Sequence, residues 1–497
     1  MNRMQGLQSS QALVTAAALA LLLAGCASMA PPYEPPALPV APTFEAQADA
    51  AAQEGVDAAL VGWPAYFTDP ALQTVIDMAL AHNRDLRRAA LRVEEARAAF
   101  NIQRSERWPT LAAQGSGDRS RAPGSLSPTG SAIVGSQYQL GVGVASWEID
   151  FWGAVQSRSD ATLQTYLATD AARRATVLSL VAQVANGYLG LRELDERLAL
   201  ARQTIDTRQE SVRIFTRRVD VGATSRLQLT QVQTLLTQAQ ALASQLEQAR
   251  AVQAHTFTLL VGAPVALAHT DQALGAEGFG TPLAVGLPSD LLLSRPDILA
   301  AEHQLRAANA NIGAARAAYF PRVALTGTLG TASSELDGLF GSDSQTWSFG
   351  PRISLPLFDG GRRDANLAVT QTRQALAVAA YEQSIQNAFR DVADALSNQR
   401  WLGQQLALAQ AALDVQTERA RLSQLRYDSG ATSYLDVLDA QRDLLTAQQQ
   451  RVQVRRALLS SQVALYSALG GGSRTLASPL TPDPVPPLAS VPVAPGP

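Results

Sequence analysis

Cys26 is the only cysteine in a chain of 497 residues, and it stands directly after Leu23, Ala24 and Gly25. Upstream lie a positive Arg3 and an apolar run from Ala12 to Ala24, the layout of a lipoprotein-type signal peptide. Cleavage before Cys26 frees an amine beside the thiol, and both groups can be acylated. Each buried CH₂ contributes about 0.8 kcal/mol, so several acyl chains on one residue form a stable anchor. The apolar run itself is too short to span a bilayer. Ala27 rather than Asp follows the cysteine. By analogy with enteric lipoprotein sorting, that directs the chain to the outer membrane.

Little else in the chain is equipped for chemistry. The four histidines, His82, His255, His269 and His303, are scattered singly, with no His-x-x-x-His pair and no Gly-rich phosphate loop. A lone cysteine excludes an intrachain disulfide. The expectation is therefore no catalytic residue, no metal site and no cofactor. All 40 basic residues are Arg, yet the net charge is −3, which gives no footprint for nucleic acid.

The elements that must position any function are written twice. Gly222-Ala223-Thr224-Ser225 recurs as Gly430-Ala431-Thr432-Ser433, and Leu260-Val261-Gly262 as Ala468-Leu469-Gly470, both at an offset of 208. Arg104 and Trp108-Pro109 match Arg316 and Phe320-Pro321 at 212, and Phe151-x-Gly153 matches Phe358-x-Gly360 at 207. Near-constant offsets across unrelated motifs mean an internal duplication. The expected organisation is a signal peptide over 1–25, a Pro/Ala-rich tether with little regular structure over 26–62, repeats over 63–290 and 291–470, and a Pro-rich tail over 471–497.

Each repeat predicts the same order of elements. A helix comes first, over 70–105 and 296–318, and ends before a proline that cannot continue it. Two short strands follow, then a very long helix over 154–218 or 362–427. A tight turn leads to a shorter helix over 225–260 or 433–469. In 346–357, Trp347, Phe349, Ile353, Leu355 and Leu357 alternate with polar or small residues. Val323, Leu325 and Leu329 alternate likewise, as do Tyr138, Leu140, Val142 and Val144; the strand near 111–116 is weak. Period-two alternation with one apolar face is the mark of a membrane β-barrel, or of a half-buried soluble sheet. Four such strands in an otherwise helical chain with a lipid anchor favour the barrel.

Four strands cannot close, and open edges are not tolerated in lipid. Two copies give eight strands, a barrel about filled by its own side chains. Three copies give twelve and leave room for water, so the expected assembly is a homotrimer. A helix of about 65 residues reaches roughly 100 Å. Leu438, Leu445, Val452, Leu459 and Tyr466 recur at sevenfold spacing, as do Leu235, Leu242 and Ala249 beside Val232, Ala239 and Leu246. That is coiled-coil packing, as a ring of helices or as an ordinary bundle.

Two stretches carry a family resemblance. Trp63-Pro64-Ala65-Tyr66-Phe67 with Asp69, Leu72 and the later Asn83-Arg84-Asp85-Leu86 resembles the start of the TolC-like outer-membrane factors. The stretch 287–321 resembles the signature of their lipoprotein branch, which serves resistance-nodulation-division pumps. It holds Arg295-Pro296-Asp297-Ile298, Asn309, Asn311-Ile312-Gly313, Arg316 and Phe320-Pro321. The resemblance implies a mainly α protein with a membrane β-barrel. Its trimer has four strands per chain, twelve in all, on a long periplasmic helical tunnel. It implies a passive exit duct for drugs or other toxic solutes, docked on a periplasmic adaptor bound to an inner-membrane transporter. It also implies an outer-membrane location with a large periplasmic portion.

By position in the family, the adaptor-contacting turns are Gly222, Ala223, Thr224 and Gly430, Ala431, Thr432. Tyr427, Leu435, Asp439 and Arg442 match its periplasmic gate, with Asp439 and Arg442 expected to pair between neighbouring helices. Gln231 replaces Asp439 in the first repeat, so the gate is expected to rest on the second. The cargo stays open: metal-ion efflux or protein secretion are the alternatives within the family. A periplasmic adaptor lipoprotein is a more distant one, since it calls for a single hairpin flanked by β-rich domains.

Overall fold

The computed structural model describes residues 28–41, 55–128, 130–270, 282–284 and 290–476. Cys26 and the stretch 477–497 lie outside the described residues. In chain order come β1 (Val56–Asp57), α1 (Trp63–Tyr66), α2 (Pro70–His82), α3 (Arg84–Ser105), β2 (Leu111–Ala122), β3 (Ile133–Ile149), α4 (Ala154–Asp220) and α5 (Arg226–Val261). The second half runs through β4 (Leu283–Ala284), α6 (Leu291–Ser294), α7 (Pro296–Ala317), β5 (Arg322–Ser333), β6 (Gln345–Ser354), α8 (Arg362–Asp428) and α9 (Tyr434–Ala468). The long helices α4 and α8 have 67 residues each.

The chain divides into two compact units, and each draws on both halves of the duplication. The first comprises Met1–Pro39, Arg88–Arg173 and Asp297–Ile385; the second comprises Val40–Arg87, Arg174–Pro296 and Gln386–Pro497.

The first unit holds a four-stranded antiparallel sheet in the order β2-β3-β5-β6. Strand register lines up one apolar face across it. Leu111 faces Val144, Val142 faces Leu329, Leu329 faces Trp347, and Val323 lies between Ile149 and Ile353. The opposite face carries Thr328 and Ser348, whose hydroxyls lie 2.6 Å apart, and Arg322, paired with Glu148 at 2.6 Å. Trp347 and Phe349 are 73% and 66% exposed in the single chain, so the apolar face is not a core. Strands of 10 to 17 residues are long enough for a tilted membrane crossing. Among the described residues no helix is long and apolar enough to cross a membrane.

The second unit has a conventional core. Tyr66 stacks on Tyr466 at 4.3 Å, Phe67 meets Tyr466 edge-on, and Leu72, Ile76 and Phe257 are buried. Arg295 of the 287–321 stretch sits here. It donates to the Ala468 carbonyl at 3.0 Å, satisfying the end of α9, and pairs with Asp391 at 3.2 Å.

Three expectations need correction. The helix over 70–105 is two helices, because Asn83 takes an extended conformation. Its Oδ1 accepts from the Leu86 amide and its Nδ2 donates to the Leu260 carbonyl at 2.6 Å, so it caps α3 and ties it to α5. The end of the tether, over 55–62, is more ordered than its composition suggests. β1 pairs in parallel with β4, and Ala58 and Ala59 are buried, their carbonyls accepting from the Gly472 and Arg474 amides. Backbone pairing with residues over 400 positions away supplies the order that Pro and Ala do not encode locally. Lastly, β6 stops at Ser354, leaving Leu355 and Leu357 beyond it. Pro356, two residues past the strand end, has no N–H for a ladder.

Candidate functional site

The two helical hairpins of the second unit carry the predicted site residues. In each, Gly closes the long helix with φ near +70°: +70° at Gly222 and +74° at Gly430. Only glycine takes that conformation without strain. The Ala223 amide bonds back to the Arg218 carbonyl and the Ala431 amide to the Arg426 carbonyl, both at 2.8 Å, which satisfies the last carbonyls of α4 and α8.

The turns then differ. Ser225 caps α5 by accepting from the Gln228 amide, while Ser433 makes no side-chain cap of α9. Thr224 and Gln228 bond side chain to side chain in the first turn; Thr432 and Asp436 do so in the second. At the first turn Val221 and Leu227 stand exposed beside the charged Asp220 and Arg226.

Above the second turn, Leu435, Asp439 and Arg442 fall on one face of α9, spaced four and three residues apart. Leu435 is 46% exposed. Within the chain, Asp439 pairs with Arg442 on its own helix at 3.2 Å. Arg442 also reaches Asp443 at 2.9 Å, and Asp443 accepts from Arg419 of α8 at 2.7 Å. Arg419, then Arg442, hold the Asp443 carboxyl below the ordinary carboxylate range. Sequence reasoning missed Asp443 and Arg419. Their partnership spans 24 positions and two helices, so no local spacing signals it.

Tyr427 is not brought to the Asp439–Arg442 pair by any of these contacts. Its ring lies 4.8 Å from Tyr434, which packs on Phe215 at 4.4 Å over buried Val232, Val437 and Leu438. The Arg218 guanidinium covers the Tyr427 ring and donates to its hydroxyl. Tyr434 donates to Ser211 at 3.1 Å, and burial pushes its phenol up from the ordinary value. These contacts tie the two hairpins together near their turns. The first repeat has Gln231, Thr234 and Leu235 where the second has Asp439, Arg442 and Asp443, so the charged string exists once per chain.

A duplicated strand-strand-helix-helix chain with this sheet and these hairpins matches the profile described as outer membrane efflux protein, over residues 75–263 and 287–471. The chain belongs to that family. The solvent efflux pump outer membrane protein SrpC of Pseudomonas putida is 44% identical over 459 residues, 91% of this chain and 97% of its own. Outer membrane protein OprJ of Pseudomonas aeruginosa is 41% identical, over 92% of this chain and 95% of its own. Among solved structures, the open state of the Neisseria gonorrhoeae MtrE outer membrane channel superposes with a TM-score of 0.82 at 38% identity, covering 90% of this chain and 99% of that one. This outer membrane efflux protein therefore has the TolC-like channel fold, and its four-stranded sheet ends in two open edges, β2 and β6.

Proposed function

We propose that the chain is the outer-membrane exit duct of a tripartite efflux system, active as a homotrimer anchored through acylated Cys26. The observation that carries this reading is the open four-stranded sheet, joined to two 67-residue helices in a chain related along nine-tenths of its length to efflux-pump outer-membrane proteins. Three copies supply twelve strands from four each, join β2 of one to β6 of the next and leave no free edge in lipid. The apolar face meets the bilayer and the Thr/Ser face lines the lumen. The duct performs no reaction; a periplasmic adaptor docks on the hairpin turns, and an inner-membrane transporter of the resistance-nodulation-division type supplies the energy. Relatives are named for solvent, toluene and antibiotic efflux, which makes small organic toxicants the cargo class.

Leu435, Asp439 and Arg442 recur three times around such a trimer and form its periplasmic constriction. Exposed ion pairs are individually weak, about 0–1 kcal/mol. A ring of them together with an apolar plug opposes wetting until the adaptor replaces those contacts. Two measurements test the reading. Detergent-extracted protein should scatter light with the mass of three chains after bound detergent is subtracted, and a stable monomer or dimer overturns the closure argument. The tagged protein should copurify its native adaptor and transporter, and its deletion should sensitise cells to organic solvents. Unchanged tolerance with no copurifying pump components rejects the efflux role.

A further inference from the structure

The chain just after Cys26 is clamped along the first unit. Ser28 Oγ lies 3.4 Å from Ser157 Oγ near the start of α4. Arg316 donates to the Met29 carbonyl at 3.4 Å, and Asn309 to the Pro31 carbonyl at 2.9 Å. Tyr33 donates to Glu302 with the Arg306 guanidinium 4.8 Å over its ring. Gly313 allows the closest approach: a Cβ there would stand 2.7 Å from the Ala30 nitrogen and 2.6 Å from Ser157 Oγ. Asn309, Gly313 and Arg316, all from the 287–321 stretch, thus share one task.

Ser28 also walls a cavity of about 360 Å³ together with Arg107, Trp147, Asp150 and Gln156. It opens at the helix-side end of the sheet, where β2 begins and β3 ends. Both carboxylates in its wall are engaged: Glu148 pairs with Arg322 at 2.6 Å, and Asp150 accepts from the Gln156 amide nitrogen at 2.7 Å. Trp147 Nε1 donates to the Arg107 carbonyl at 3.3 Å. Arg107 uses Nη2 on Ser159 at 3.0 Å and faces Asp160 at 3.7 Å, while its Nε and Nη1 have no partner among the described residues. The spare capacity of the wall is therefore donor capacity, suited to carbonyl oxygens rather than to cations. An indole beside it belongs at the headgroup level of a membrane.

We propose that this cavity seats the acylated N-terminal residue. Cys26 is two residues from Ser28, a reach of at most about 7 Å. Its amide and glyceryl-ester carbonyls accept from Arg107 beside Trp147, and the acyl chains continue into the bilayer. The clamp over 28–33 holds the anchor at one depth relative to the sheet. The proposal rests on the acylation of Cys26 and adds where the modified residue is held.

The test places a benzophenone amino acid at position 147 in the full-length protein, made in cells fed labelled palmitate. After irradiation in native membranes, peptide mass spectrometry should find position 147 crosslinked to the diacylglyceryl N-terminal peptide. A benzophenone at exposed Trp108 is the control and should give mainly free phospholipid adducts. Arg107→Ala should lower the 147 crosslink about fivefold without changing palmitate incorporation. If Arg107→Ala does not accumulate, Asn309→Ala, which loosens the clamp and leaves the cavity wall intact, should lower it as well. Phospholipid adducts alone at position 147, in protein that still carries palmitate, overturn the seat and make the cavity a general lipid site. Absence of palmitate on the chain overturns the acylation itself, a separate outcome read in the same sample.

Discussion

Arg419 on α8 donates to Asp443 on α9 at 2.7 Å, and that contact fastens the second hairpin above its turn. Asp443 then holds Arg442, and Arg442 holds Asp439, so a string of four charges runs from one helix to the exposed face of the next. Opening the hairpin separates the Arg419–Asp443 pair, whereas Asp439 and Arg442 stay together on one helix.

Removing the exposed end of that string together with the apolar plug should loosen the duct. The double substitution Leu435→Ala with Asp439→Ala is expected to raise single-channel conductance in planar bilayers without adaptor. Cells carrying it should admit a large antibiotic that the outer membrane excludes. Glu418→Gln is the matched control, since among the described residues Glu418 pairs along its own helix with Arg421. Equal leakage from the control, or none from the double variant, would put the constriction elsewhere.

Acidity should act late. Asp443 has its carboxyl depressed by Arg419 and Arg442, so its ion contacts contribute fully above the ordinary carboxylate value of about 3.9. They are lost only as pH falls through the lower folded-state value. Conductance should thus stay flat from about pH 7 to about pH 5 and climb below about pH 4. Asp443→Asn should conduct at the raised level throughout. A wild-type rise already complete at about pH 5 contradicts the depressed carboxyl.

The turns answer to backbone strain. Gly430→Ala forces a Cβ into the left-handed region at a cost of about 1–2 kcal/mol, although nothing stands within 4 Å of it. Its thermal midpoint and its yield of copurified adaptor should both fall. Gly403→Ala lies inside α8 in open space, without a positive φ, and should gain up to about 1 kcal/mol. Equal effects from the two substitutions would remove the left-handed turn as the cause.

The anchor is tested at Cys26. Cys26→Ser should abolish palmitate labelling and leave an unprocessed precursor. Labelling that persists means acylation at another residue or none that depends on this motif.

The helices were legible because their determinants are local. Gly153 before it and the turn at Gly222 after it placed α4 over 154–218, and it runs Ala154–Asp220. The duplicated turns were equally readable, since a left-handed glycine and the threonine after it act within five residues. Strand phase was another matter. Alternation led from Tyr138 to Val144 and would have turned Trp147 to the polar side. A bulge at Ala145 and Ser146 shifts the register instead, so that Trp147 and Ile149 join Val142 and Val144 on the apolar face. Only pairing with β5, nearly 180 residues away, decides that. The same holds for Asn83 bonding to Leu260, for Ala58 meeting Gly472, for Asp443 meeting Arg419 and for the clamp on 28–33. Each joins groups whose separation along the chain carries no periodic signal, and in the part-buried ones, such as Asn83 with Leu260, polar groups withdrawn from water find partners wherever the folded chain brings them.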